Sequence, residues 1–322
     1  MEKIRSIINT VLESMRAWHA VFLAPAAILL YFYAWGQGST GVIVRIEPGD
    51  TARVVATRLE TSGAIRDRRA FLAWLFITGN QNSIKVGEYE IPRGASLNTI
   101  KNIVASGRLF MRFVTIPEGL SSMQIMDIVD RIDGLRGEIT LSFKDGELLP
   151  QTYAYDMTTT RDGLLTRMKV AMDNALAEEW DKRADGLPYA NMREALIMAS
   201  IVEKETGVDA ERPLVASVFV NRLRRRMRLQ SDTTVAYTHG RPDGRLFYVD
   251  LRKDTPYNTY TRHGLPPGPI CNPGRASIRA ASQPARTEYL FFVADGTGGH
   301  RFSKTHAEHE KNRVHWRSVR GW

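Results

Sequence analysis

From Ala17 to Val44 the chain carries no Lys, Arg, Asp or Glu, and within that run Trp18 to Trp35 is apolar apart from His19 and the hydroxyls of Tyr31 and Tyr33. Such a stretch has few ways to fold, because once its side chains leave water its backbone polar groups must bond to one another. As a helix its eighteen residues rise about 27 Å, close to a bilayer core, with Trp18 and Trp35 placed to sit at the two interfaces. The reading is a single transmembrane helix over residues 18–35; a buried core helix is the alternative. Lys3, Arg5 and Arg16 precede the span and Arg45 follows it, a bias that puts residues 1–17 in the cytoplasm and exports the remainder. A cleaved leader fits less well, since the apolar run is long and the residues after it offer only a vague cleavage site.

The 322 residues are 43% hydrophobic and 25% charged, the balance of a folded chain long enough for one large or two ordinary domains. A net charge of +9 favours a polyanionic partner such as nucleic acid, phospholipid headgroups or an acidic wall polymer. The basic residues are spread along the chain with no zinc-finger, helix-turn-helix or RNP pattern, so nucleic acid is set aside. One cysteine, Cys271, excludes an intramolecular disulfide.

Residues 36–43 read as a linker and 44–108 as a small α/β unit. It contains a strand ending at Ile46, a helix with Val54, Val55, Arg58 and Leu59 at helical spacing, a helical segment closed by Gly79, and a helix marked by Leu97, Ile100, Ile103 and Val104. Val44 to Gly49 and Val114 to Gly119 lie 70 residues apart, each a strand entering a Pro/Gly turn before a helical pattern. One strand–turn–helix unit is thus used twice, with Gly49 and Gly119 supplying the turn. Residues 120–135 and about 160–178 also read as helices.

The stretch IVEKETG, residues 201–207, ends another helix. Asn191 is a good N-cap, Glu194 completes a capping box, and Gly207 is a favourable stop. Met198, Ile201, Val202 and Glu205 share one face, so Glu205 continues an apolar stripe into the last turn, while Glu203 lies off it beside Ala199 and Ser200. Partial burial and the negative end of the helix dipole both raise the pKa of a carboxyl placed like Glu205, as a general acid requires. Pattern alone favours the plainer alternative, a carboxylate that reaches water or pairs with a basic residue such as Arg212.

The blocks MASIVEKETG, ERPLVASVFVNRLRRRMRLQSDTTVAY, YNTYTRHGLPPGPICNPG and YLFFVADGTGGHRFSKTHAEH occur in that order. With EGLSSMQI and LLPQTY upstream, they resemble the membrane-anchored endolytic murein transglycosylase family, the YceG-like proteins, over about residues 45–315. The resemblance implies an α+β fold: one N-terminal transmembrane helix, a small LysM-like α/β module over 44–108, and over 109–322 a mixed catalytic domain with a lysozyme-like catalytic helix. It implies an inner-membrane protein with its catalytic domain in the periplasm, acting on peptidoglycan glycan strands, with peptidoglycan synthases as candidate partners. It assigns Glu205 as the catalytic residue, with Glu203 and Thr206 in support. Substrate contacts fall on Arg222, Leu229, Gln230, Asp232, Tyr237, Asn258, Thr259, Tyr260, Leu265, Pro266, Pro267 and Gly268. Ser231 and Thr233 stand where many relatives have Thr and Pro.

The implied chemistry needs one carboxyl group. A hydrolase needs a second carboxylate, as nucleophile or to activate water. A lytic transglycosylase instead closes the muramic acid C6 hydroxyl onto C1 of the same sugar, gaining the advantage of intramolecular delivery and requiring no metal or cofactor. The alternatives are a muramidase that adds water and a non-catalytic membrane-tethered scaffold that holds peptidoglycan. His300, His306 and His309 lack a zinc-site pattern and read as surface or substrate contacts. Cys271 reads as a small buried residue, and Arg222 to Arg228 as a solvated helix face or a site for wall carboxylates.

Overall fold

The computed structural model describes residues 41–79, 83–239 and 246–320, together with Ala27. The chain divides into two compact units, one ending at Arg112 and taking in Asp156–Thr158, the other comprising Phe113–Tyr155 and the residues from Thr159 onward.

In the first unit, β1 (Val42–Ile46) is followed by α1 (Ala52–Thr61), α2 (Arg68–Ile77), β2 (Gly87–Ile91) and α3 (Leu97–Ser106). β1 and β2 pair antiparallel, with Val42 opposite Ile91 and Ile46 opposite Gly87. Val44 and Ile46 point into the core while Ile43 and Arg45 point out, the period of two that a half-covered strand imposes. Val55, Leu59, Phe71, Leu75, Tyr89, Leu97 and Ile100 complete that core. Each helix starts on a side chain that accepts a backbone N–H, namely Thr51, Asp67 and Ser96, which satisfies groups the first helical turn leaves unpaired.

The second unit reuses the motif: β3 (Arg112–Thr115) pairs with β4 (Thr152–Tyr155), and α4 (Ser122–Asp130) follows the turn. Gly49 and Gly119 have φ of 88° and 76°, left-handed conformations that explain a glycine at the same place in both turns. The remaining helices are α5 (Arg161–Asp181), α6 (Met192–Glu205), α7 (Arg212–Arg224), α8 (Asp232–His239), α9 (Tyr248–Arg252), α10 (Arg275–Ser282) and α11 (His306–Arg320). A hairpin of β5 (Phe291–Ala294) and β6 (His300–Ser303) precedes the last helix.

Helix α6 is the centre of this unit, and every residue from Ala195 to Val202 is buried. Around it, Met172 of α5, Val215 and Phe219 of α7, and Ile278 and Ala281 of α10 build one core. The expected single apolar stripe is therefore corrected: Ala199 and Ser200, small enough to look neutral in a periodicity count, are as fully covered as Met198 and Ile201, as in a helix surrounded on all sides. Its start is as expected, the Asn191 side chain accepting from Glu194 N–H at 3.0 Å. The Glu194 carboxylate, however, accepts from Ala190 N–H instead of closing a box on Asn191. The helix stops one residue earlier than expected, because Thr206 turns to extended backbone at φ −143°.

The transmembrane part of the expected fold is corrected. Apart from Ala27, residues 18–35 lie outside the described residues, and among the described residues no helix is long and apolar enough to cross a membrane. The longest, α5, has 21 residues but carries Arg161, Asp162, Arg167, Lys169, Asp173, Glu178, Glu179 and Asp181, charges that a bilayer core rejects. The single-pass topology, the inner-membrane partner and location, and the cytoplasmic and periplasmic assignments that followed from it are withdrawn with the span. What stands is an α+β fold of helices and two-stranded sheets.

Candidate active site

Glu205 closes α6, and the abrupt turn at Thr206 leaves its half-buried carboxyl facing the segment that joins α7 to α8. Two hydroxyls meet one of its oxygens, that of Ser231 from this segment and that of Thr233 from the first turn of α8. Ser231 Oγ donates to Glu205 Oε1 at 2.5 Å and Thr233 Oγ1 at 3.2 Å, with the two hydroxyls 2.8 Å apart. Neither is charged, so the acid sits among neutral donors with Oε2 left for another partner.

Burial pushes the Glu205 pKa above the ordinary carboxylate range. The two hydroxyls pull it partly back, the Asp232 carboxylate pushes it further up, and His300 pulls it down; the balance remains upward. A carboxyl in this state keeps its proton to higher pH than a free one, which is the property a general acid near neutrality requires.

Glu203, two residues earlier, has the opposite kind of neighbour. Its side chain is only 6% exposed, Oε1 receives Arg212 Nη2 at 3.3 Å, and Oε2 receives Gly274 N–H at 2.9 Å. Arg212, itself buried, also holds Asp209, Glu118 at 3.3 Å and Ser277 at 3.0 Å. The cation weighed as a partner for Glu205 is thus taken by Glu203. Thr206 is buried as well, accepting from Val208 N–H at 3.1 Å and donating to Glu211 Oε2 at 3.4 Å.

The residues assigned to substrate separate into three groups. Arg222, Leu229, Asn258 and Thr259 are buried scaffolding. Arg222 donates to the carbonyls of Leu229 at 2.6 Å and Leu290 at 2.7 Å, Asn258 Nδ2 to those of Leu251 at 3.1 Å and Lys253 at 2.8 Å, and Thr259 secures Ser231. Asp232 and Tyr260 lie beside the acid, and the exposed Gln230 directly precedes Ser231. Tyr260 donates to Asp232 Oδ1 at 2.5 Å, and burial, then this carboxylate, raises the phenol pKa.

The third group lines two grooves. Tyr237, Pro267 and Gly268 border one of about 820 Å³ together with Tyr257 and Asp145. There Tyr237 donates to Asp145 at 2.9 Å and packs on Tyr257 with ring centroids 4.8 Å apart. Leu265, Pro266 and Pro267 border the other, of about 400 Å³.

Two features went unread in the sequence. Ser231 and Thr233 were noted only as departures from relatives, because Ser-Asp-Thr-Thr at the start of a helix looks like an ordinary N-cap and first turn. The pair formed by His300 and Glu211 was missed altogether. His300 donates its backbone N–H to Glu211 Oε1 at 2.8 Å, and its ring Nδ1 lies 2.7 Å from Oε2, across 89 residues of sequence. His306 and His309 instead gather around Phe291. Among the described residues no group of three or more His, Cys, Asp or Glu is arranged to hold a metal. Cys271 is 1% exposed, and burial pushes its thiol pKa up.

The chain is 31% identical to the endolytic murein transglycosylase of Bacillus subtilis (strain 168), over 85% of this chain and 84% of that protein. It is 28% identical to the protein of the same name from Streptococcus pneumoniae serotype 2, covering 57% of that longer chain. The crystal structure of a yceG-like protein from Listeria monocytogenes aligns with a TM-score of 0.53 at 31% identity, over 84% of this chain and 98% of that one. The profile of the YceG-like family matches residues 44–315, so the chain belongs to the YceG-like family.

Proposed function

We propose that this chain works as an endolytic murein transglycosylase with Glu205 as its acid and base. It is an enzyme that cuts within the glycan strands of peptidoglycan, the activity carried in the names of its relatives. The observation that supports Glu205 in the central role is its desolvated carboxyl, held on one oxygen by two neutral hydroxyls.

In the first step Glu205, protonated on Oε2, donates to the glycosidic oxygen that leaves C1 of the muramoyl sugar. The carboxylate so formed then takes the proton of the C6 hydroxyl while O6 bonds to C1. One C–O bond breaks and one forms, no water is consumed, and Glu205 ends protonated again. Neighbouring carboxylates are otherwise engaged: Glu203 by Arg212, Glu211 by His300, and Asp232 by Tyr260. Residues 44–108, with a core of their own, serve in this reading as the LysM-like module that positions glycan, and 109–322 as the catalytic domain.

The test is mass spectrometry of the products released from uncrosslinked glycan by the full chain, with Glu205→Gln as control. New ends lighter by one water are expected, and none from the variant. Reducing ends would replace this reaction by hydrolysis. Near-normal product from folded Glu205→Gln would remove Glu205 from the mechanism.

A further inference from the structure

Ser231 meets Glu205 from a backbone secured on both sides by buried hydroxyls. Its N–H donates to Thr259 Oγ1 at 3.0 Å, and its carbonyl accepts from Thr234 Oγ1 at 2.8 Å. The Thr234 and Thr259 hydroxyls are 2.9 Å apart. A hydroxyl has a single proton, and Thr234 has given its own to the Ser231 carbonyl, so Thr259 is the donor between them. The chain therefore runs one way, from Thr259 through Thr234 to Ser231, and all three residues are at most 3% exposed. Gln230, just before Ser231, has φ 50°, a left-handed conformation that a residue with a side chain keeps only where its surroundings impose it. Here its N–H is tied to the Thr259 carbonyl at 3.1 Å.

We propose that Thr259, Thr234, Ser231 and Thr233 form a positioning device that keeps hydroxyl donors on Glu205 Oε1 and so leaves Oε2 to carry and deliver the proton. The proposal rests on Glu205 being the acid of the reaction above. With both hydroxyls aimed at Oε1, a proton on that oxygen would compete with donors already in place, whereas Oε2 is free to accept it. None of the four need touch the reacting atoms, and their effect passes through the orientation of one carboxyl.

Kinetics of full-chain variants on glycan test this. Ser231→Ala should lower kcat about 10- to 100-fold, the loss a misplaced catalytic group produces, with KM changed less than about twofold. It should also move the high-pH limb of kcat/KM upward, because Glu205 acts protonated and a donor that stabilised its carboxylate is gone. The other groups acting on its charge, Asp232, His300, Arg222 and Tyr260, are unchanged in that variant. Ser231→Thr should restore both readouts. Thr259→Val should reproduce the kcat loss without removing a contact to Glu205, and Thr259→Ser should not.

Should Ser231→Ala fold poorly, Thr233→Val, at a half-buried position, gives the same pH readout with a smaller shift. A high-pH limb that stays in place in a folded variant overturns the proposal, as does a kcat loss that only tracks the unfolded fraction. An inactive Glu205→Gln beside a normal Ser231→Ala defeats the positioning role alone, whereas an active Glu205→Gln defeats the acid assignment and this proposal with it.

Discussion

The last turn of α6 carries two glutamates two residues apart, and its two sides treat them differently. On one side Glu203 meets a buried guanidinium and a backbone N–H; on the other, Glu205 meets two neutral hydroxyls. An opposite charge in a dry site makes a carboxylate part of the architecture, since removing either partner strands the other. Hydroxyls hold a carboxyl in place without fixing its charge, and desolvation then favours the protonated form. Residue type and helix position are nearly the same for both, so the difference lies in the partner.

Exchanging each carboxylate for its amide is the direct way to break this contrast. The largest effect is expected on the hydroxyl side: Glu205→Gln should cut turnover by at least about 100-fold, within the usual contribution of general acid catalysis, while folding survives. The sign of its stability effect follows from the raised pKa. The folded chain binds this proton more tightly than the unfolded one, so the native Glu205 costs stability as pH rises from the unfolded pKa through the folded one. Thermal denaturation across that window should show the variant equal to the parent at low pH and increasingly more stable above it. A variant that melts lower at neutral pH would mean that Glu205 is architectural after all.

On the charged side the expectation reverses. Glu203→Gln should destabilise by on the order of 2 kcal/mol, less than the 3–5 kcal/mol of an isolated buried pair, because Arg212 keeps Glu118 and Asp209. Activity per folded molecule should stay within about tenfold, less than the usual contribution of a general acid. Denaturant unfolding paired with an assay of the folded fraction separates the two quantities, and a severe activity loss without destabilisation would pass the acid role to Glu203.

The smallest effect sharpens the same side. A Cβ at Gly274 would lie 1.7 Å from Glu118 Oε1 and 2.1 Å from its Cδ. The Glu118 side chain is 41% exposed and can swing into water, giving up one of several contacts to Arg212. Gly274→Ala should therefore lose about 1 kcal/mol or less with turnover unchanged, and a loss as large as that of Glu203→Gln would show that Glu118 is indispensable to the cluster.

What the sequence determined by itself is what neighbouring residues decide: alternation in β1, the repeated strand–turn–helix with its two left-handed glycines, the Asn191 cap, and a helix ending at the two glutamates. These follow from φ/ψ preferences and hydrogen bonds within a few residues. Family resemblance added the substrate assignments but could not separate a residue that lines a groove, such as Tyr237, from one that braces a loop, such as Arg222 or Thr259. Only the tertiary structure decided that. Arg212 chooses Glu203 from nine residues away, Ser231 and Thr233 reach Glu205 from 26 and 28, and His300 finds Glu211 across 89. Periodicity averages over a local window and treats Ala and Ser as neutral, so it could not register that α6 is enclosed on every side. Burial and charge pairing depend on which distant segments fill the space around a side chain, and that choice is made only when the core packs.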